Sequence, residues 1–195
     1  MQQPIPLVDV KSQFAAVRSE IEARFAEVLD GGRYIKGPNF YAFQDEAAAY
    51  LGVKGSVGVA NGTDALVLVL DAMEIGPGDE VICPAFTFYA TAEAIARRGA
   101  TPVFADIDPV TLNVDVDDVA SRITARTRAI MPVHLFGRPA ATVELTKLGV
   151  PVIEDAAQAF GSPGVAQVGD ISTFSFFPTK NLFCIGDGGL VASDD

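Results

Sequence analysis

Residues that ligate metals or cross-link small secreted folds are nearly missing from this sequence. Its 195 residues include one histidine, His134, and two cysteines, Cys83 and Cys184. A single histidine excludes the HExxH pattern and any multi-histidine centre, and two distant cysteines make no repeated CxxC pair, so no metal site is expected. The same scarcity fits a reduced compartment and argues against a disulfide framework. Positive charge is also in short supply: 14 Lys plus Arg face 25 Asp plus Glu, a net charge of −11. Such a field repels nucleic-acid phosphate and anionic lipid, so neither nucleic acid nor a membrane is an expected partner. No apolar run reaches the roughly 18 residues of a membrane-spanning helix, and the opening Met-Gln-Gln-Pro lacks a basic stretch followed by an apolar one. The expected location is cytoplasmic.

Two phosphate-binding signatures are missing as well. No Lys-Ser/Thr pair follows Gly62, which removes a Walker A loop, and no GxGxxG fingerprint occurs. Neither a nucleotide triphosphatase nor a Rossmann dehydrogenase is supported.

The residues present describe a globule: 49% are hydrophobic and 20% charged, enough apolar surface to offset the entropy of folding. At about 100–200 residues per domain, the length predicts one domain with a large core. From Val10 to Leu29, Phe14, Val17, Ile21, Phe25 and Val28 recur at spacings of three and four, which predicts one amphipathic helix stopped by Asp30-Gly31-Gly32. A second helix is expected from Asn39 to Leu51, with Gly52 at its exit. After Gly55, short apolar runs alternate with helical stretches, the pattern of a βα-repeating sheet. Strands are expected at 56–60, 80–83, 102–105, 128–133, 151–153, 171–176 and 190–192, and helices at 63–73, 89–97, 116–123 and 140–148.

The unusual polar residues follow these strands, where open α/β sheets bind ligands. Asn61-Gly62-Thr63 opens a helix whose free amides and positive dipole end suit a phosphate, although an ordinary cap by Asn61 or Thr63 is the plainer reading of this fragment alone. Glu154-Asp155 ends a buried apolar run, where a carboxylate needs a cation or several hydrogen bonds. A protonated pyridine nitrogen is one such partner for Asp155; capping of the following segment by Glu154 or Asp155 fits the isolated residues equally well. Lys180 follows the aromatic strand Ser172-Thr173-Phe174-Ser175-Phe176-Phe177 and Pro178. Held among aromatics near a cationic ring, it would have the lowered proton affinity of a Schiff-base lysine; alone, it reads as a solvated loop residue.

Taken in order, these blocks resemble the pyridoxal-phosphate-dependent nucleotide-sugar aminotransferases of the DegT/StrS type, within fold type I. The resemblance spans nearly the whole chain. It rests on Arg33-Tyr34-Ile35-Lys36-Gly37-Pro38, Ala60-Asn61-Gly62-Thr63-Asp64-Ala65-Leu66, Pro84-Ala85-Phe86-Thr87-Phe88 and Pro132-Val133-His134-Leu135-Phe136-Gly137. Ile153-Glu154-Asp155-Ala156-Ala157-Gln158, and Phe174-Ser175-Phe176-Phe177-Pro178-Thr179-Lys180-Asn181 with Gly186-Asp187-Gly188-Gly189, are more diagnostic. The resemblance implies a three-layer α/β fold, a mixed and mainly parallel sheet with flanking helices, and pyridoxal 5'-phosphate as cofactor. It implies that Lys180 forms the internal aldimine and shuttles the proton, and that Asp155 pairs with the ring nitrogen. Phe88 matches the residue stacked on the ring, Gln158 the one beside its phenolic oxygen, and Gly62, Thr63 and Ser175 the phosphate anchors. Tyr34 and His134 are weaker substrate candidates; each also fits a structural role. The implied reaction moves an amino group from an amino acid, usually glutamate, to a keto group on a nucleotide-linked deoxysugar, in polysaccharide or antibiotic sugar biosynthesis. A sugar-dehydrating branch with histidine in place of the lysine is disfavoured by Lys180.

In the family the chain continues past the position of Asp195 into a smaller C-terminal domain, and a homodimer partner completes the pocket. The expected organisation is therefore a helical segment over 1–52 packing on a cofactor-binding large domain over 53–195, with the small domain missing. A cofactor-binding or structural remnant without activity of its own is the alternative expectation.

Overall fold

The apolar spacing across Val10–Leu29 builds two helices rather than one in the structure, a computed structural model that describes residue 5 and residues 7–195. Helix α1 (Val10–Ala15) is capped by Asp9, whose carboxylate accepts the Ser12 N–H at 3.0 Å. Val17 leaves helical geometry at φ −119°, and α2 (Arg18–Gly31) starts after it. A β-branched residue surrenders χ1 freedom in a helix, so the interruption falls where helix is least favoured. Gly32 ends α2 in the left-handed region, φ 64°, with its N–H on the Val28 and Leu29 carbonyls. Helix α3 (Pro38–Leu51) opens on proline, whose missing donor costs nothing in a first turn. The chain forms two compact units, one through Phe43 and the other Gln44–Asp195, so the division falls within α3, ahead of Gly52.

The second unit runs β1 (Gly55–Val59), α4 (Gly62–Ala72), β2 (Glu80–Pro84), α5 (Ala90–Arg97), β3 (Thr101–Ala105), α6 (Val116–Arg122) and β4 (Thr127–Ile130). A 3-10 turn (Leu135–Gly137), α7 (Thr142–Thr146), β5 (Ile153–Asp155), β6 (Ile171–Ser175) and β7 (Gly189–Ser193) complete it. Strands β3, β2 and β4 pair in parallel; β5 and β6 pair in parallel, and β7 lies antiparallel between β6 and β1. Parallel bridges Ile130–Val152 and Val133–Asp155 join the two groups, giving the order β3-β2-β4-β5-β6-β7-β1. The sheet is thus mixed and mainly parallel, as the βα alternation predicts.

Strand alternation divides the core between the two faces. Val81, Cys83, Ala129, Met131 and Ile153 pack with Leu66, Val69 and Leu70 of α4 and Ala94 and Ile95 of α5. The intervening Ile82, Ile130 and Val152 pack oppositely with Val119 of α6 and Leu145 of α7. Phe174, Leu190 and Ala192 meet Ala47 and Leu51 from the end of α3. Helices on both faces of one sheet make the three layers.

Two prolines displace strand ends from their sequence-predicted positions. Pro132 lacks an N–H, so the regular ladder of β4 stops at Ile130, although the Asp155 N–H still donates to the Pro132 carbonyl at 2.9 Å. Pro151 likewise delays β5 until Ile153, which makes Asp155 its last residue. No helix among the described residues is long and apolar enough to cross a membrane.

Candidate functional site

The carboxyl ends of β1, β2, β4, β5 and β6 converge on a cavity of about 600 Å³. Gly62, Thr63, Phe88, Asp155, Gln158, Ser175 and Lys180 all line it. Seven of the nine residues singled out from sequence therefore meet in one place.

At one end of the cavity stands the start of α4. Asn61 is its cap: the side-chain oxygen accepts the Asp64 N–H at 2.8 Å, and its carbonyl accepts the Ala65 N–H at 3.0 Å. The amides of Gly62 and Thr63 precede that first helical bond, which leaves them for a ligand. The backbone here is held by close approach on two sides. A Cβ at Gly62 would lie 2.6 Å from Ser175 Cβ, and one at Gly189 would lie 2.5 Å from the Asn61 carbonyl carbon. Glycine at both positions lets β6 and β7 press against the helix start and brings the Ser175 hydroxyl beside it.

Asp155 is 4% exposed. Its Oδ2 accepts the Thr91 hydroxyl at 2.8 Å and its Oδ1 accepts the Ala157 N–H at 3.2 Å. Burial pushes its carboxyl above the ordinary range, against these hydrogen bonds and the attraction of Lys180. Lys180, half-buried on the segment after β6, is shifted the other way: burial lowers its proton affinity, and only the charge of Asp155 opposes that. A carboxylate biased toward its neutral form and a lysine biased toward its neutral form thus face one cavity, as pairs that do acid–base work do.

Gln158 lines the cavity while its Oε1 accepts the Phe136 N–H at 2.7 Å, bracing a non-glycine residue at φ 55°. Phe88 is 61% exposed and packs edge-on against Tyr89, with ring centroids 4.7 Å apart.

His134 and Tyr34 are not among the cavity residues. His134 is wholly buried, with Nδ1 accepting the Ala140 N–H at 2.9 Å and Nε2 3.3 Å from Glu154 Oε2. These surroundings support its structural role over a substrate contact. Tyr34 belongs to the first unit, where its hydroxyl donates to the Leu29 carbonyl at 3.5 Å.

Sequence reasoning missed Thr87 and Thr91, whose hydroxyls lie 3.0 Å apart, and the close approach at Gly189. The i, i+4 spacing of the threonines across the start of α5 was the available signal; the block Gly186-Asp187-Gly188-Gly189 was visible, but nothing local says which segment Gly189 meets.

Residues 15–195 match the model of the DegT/DnrJ/EryC1/StrS aminotransferase family. Among curated relatives, UDP-N-acetyl-3-dehydro-alpha-D-glucosamine 3-aminotransferase of Acidithiobacillus ferrooxidans is 49% identical over 98% of this chain and 54% of that protein. The chain spans about half the length of the curated relatives it matches. Among solved structures, Streptomyces venezuelae DesV in complex with a ketimine intermediate superposes with a TM-score of 0.96 at 42% identity, covering 100% of this chain and 54% of that one. Bacillus subtilis NtdA with bound cofactor PMP gives a TM-score of 0.95 at 33% identity, over 100% of this chain and 46% of that one. The family and this cofactor-bound neighbour imply pyridoxal phosphate chemistry. With its motifs gathered at one sheet edge and its match running through Asp195, the chain belongs to the DegT/DnrJ/EryC1/StrS aminotransferase family.

Proposed function

We propose that this chain forms the cofactor-binding part of a pyridoxal-phosphate-dependent aminotransferase that moves an amino group from an amino acid, with glutamate as donor, to a keto group on a nucleotide-linked deoxysugar. The carrying observation is that Lys180 and Asp155, with oppositely shifted proton affinities, share a cavity with the open first turn of α4. The residues fit the cofactor at three points. The amides of Gly62 and Thr63, with the Thr63 and Ser175 hydroxyls, would hold its phosphate. Asp155 would hold a proton on its ring nitrogen, a charged partner that reverses the cost of burying that carboxylate. Lys180 Nζ, partly desolvated, would supply the amine that attaches it. When bound, pyridoxal phosphate supplies an electron sink for carbanion chemistry.

The remaining roles are those of the chain. Phe88 would cover the bound ring and limit water, and Gln158, braced on Phe136, would offer its amide from the cavity lining. Lys180 Nζ would take up and return the proton that moves during amino transfer. The acceptor class, a nucleotide-linked keto sugar, is supported by relatives named for a 3-dehydro and a 3-oxo UDP-sugar.

Adding pyridoxal phosphate to the 195-residue protein tests this, read by the absorption of a lysine-bound cofactor with Lys180→Ala as control. Identical spectra for the two proteins would remove Lys180 from its role. An assay with glutamate and a nucleotide-linked keto sugar then separates binding from turnover, and a bound but inert cofactor would limit this chain to binding.

A further inference from the structure

Thr91 occupies the first turn of α5 and is 0% exposed. Its single hydroxyl has three oxygen neighbours: Asp155 Oδ2 at 2.8 Å, Thr87 Oγ1 at 3.0 Å and the Phe88 carbonyl at 3.3 Å. A threonine at this place in a helix usually back-bonds to a local carbonyl, which here is Phe88. The shorter distance instead goes to a carboxylate on another element, 64 positions along the chain. With Asp155 charged, the Thr91 hydrogen lies on Oδ2, and Thr87 donates to the Thr91 oxygen, so the bond to the anion is charge-assisted and relayed. With Asp155 neutral, its own proton lies on the Thr91 oxygen and the Thr91 hydrogen turns to the Phe88 carbonyl. The first arrangement is the stronger, and Thr87 reinforces it.

We propose that Thr91 is a positioning residue for Asp155: its buried hydroxyl, oriented by Thr87, fixes the carboxylate at the cavity wall and favours its charged form. For its consequence, the pairing of Asp155 with a pyridine nitrogen, this rests on the cofactor reading above. The other groups acting on Asp155 are Lys180 from the segment after β6, His134 from the segment after β4, and the Ala157 amide; Cys83 on β2 also senses its charge. Lys180 and His134 act through space, whereas Thr91 makes the shortest hydrogen bond to the carboxylate.

The test is the titration of Asp155 in cofactor-free protein, followed by isotope-edited infrared absorption of its carboxyl and assigned with Asp155→Asn. Thr91→Val, which keeps shape and loses the hydroxyl, should raise the midpoint by about one to two pH units, and Thr91→Ser should restore the wild-type value. The pH profile of pyridoxal phosphate affinity should move in parallel. A Thr91→Val midpoint equal to wild type, or a Thr91→Ser midpoint equal to that of Thr91→Val, overturns the proposal. Should Thr91→Val not fold by circular dichroism, Thr87→Val serves: a smaller upward shift supports the relay, and none overturns it. Failure of the wild-type protein to bind pyridoxal phosphate overturns the cofactor reading instead, while the infrared midpoints still decide the role of Thr91.

Discussion

Glu154 Oε2 lies 3.3 Å from His134 Nε2 with both side chains fully buried, one residue before the carboxylate that faces the cavity. His134 Nδ1 accepts the Ala140 N–H, which puts the ring proton on Nε2, toward Glu154. Glu154 also accepts the Ala166 N–H at 2.7 Å, the Ser172 hydroxyl at 2.8 Å and the Gly169 N–H at 3.1 Å. Successive strand residues face opposite ways, so Glu154 ties segments together on one side of β5 while Asp155 serves the cavity on the other.

Burial pushes the Glu154 carboxyl up, but the His134 imidazole, the Ala166 amide and the Ser172 hydroxyl together hold it below its ordinary 4.5. A depressed value means that its contribution is complete above 4.5 and is lost as pH falls through the lowered folded value. Glu154→Ala should cost about 3–5 kcal/mol in urea unfolding at neutral pH, because it strands several buried donors. Glu154→Gln should cost less and lose part of the acid dependence of the wild-type stability.

Asp155 has the opposite sign. Its raised folded value means that stability increases as pH falls through that value and levels off below the ordinary 3.8. Asp155→Asn should therefore stabilise the cofactor-free protein at neutral pH by roughly 1 kcal/mol, as relief of functional strain commonly does. The same variant should lose most affinity for pyridoxal phosphate. Thermal melts and absorbance titration, run together, check both halves.

The two tight glycines should respond differently to alanine. At Gly62 the new methyl meets the side chain of Ser175 at 2.6 Å, whereas at Gly189 it meets the Asn61 main chain at 2.5 Å. Gly62→Ala should cost about 1–3 kcal/mol and weaken phosphate-end binding, and adding Ser175→Gly should restore much of the stability. Gly189→Ala has no side chain to remove and should be the more damaging. Denaturant melts of the single and double variants measure the coupling.

The two thiols should separate kinetically. Burial first, and then the charge of Asp155, push the Cys83 thiol up to about 12, while Cys184 is only partly buried. A disulfide reagent at mildly alkaline pH should modify one thiol in the native protein and two after unfolding. Cys184→Ser should abolish the native-state reaction.

Much of the fold was legible because its signals are local. All seven strands lie where apolar runs flank turn residues, and seven proposed site residues share a cavity because they follow strand ends. The failures have local causes too: Val17 interrupts an apolar spacing that still looks continuous, and Pro132 and Pro151 shift strand limits. The antiparallel placement of β7 was not legible, because Leu190–Ala192 reads the same in either direction. Gly189 was invisible as a contact for a simpler reason, since the chain it touches lies 128 positions earlier. His134 occupies a motif beside the site, yet its ring turns to Glu154, a choice made by packing rather than pattern.

Strand β1 has β7 as its only ladder partner among the described residues, so the fold closes on a pair separated by most of the chain. During synthesis the ribosome delivers Gly55–Val59 long before Gly189–Ser193. The nascent polypeptide must carry an unpaired β1, and with it an unanchored start of α4, until β7 emerges. The end of the cavity at the start of α4 is consequently completed only once β7 is in place, well after β2, β3 and β4 have been made.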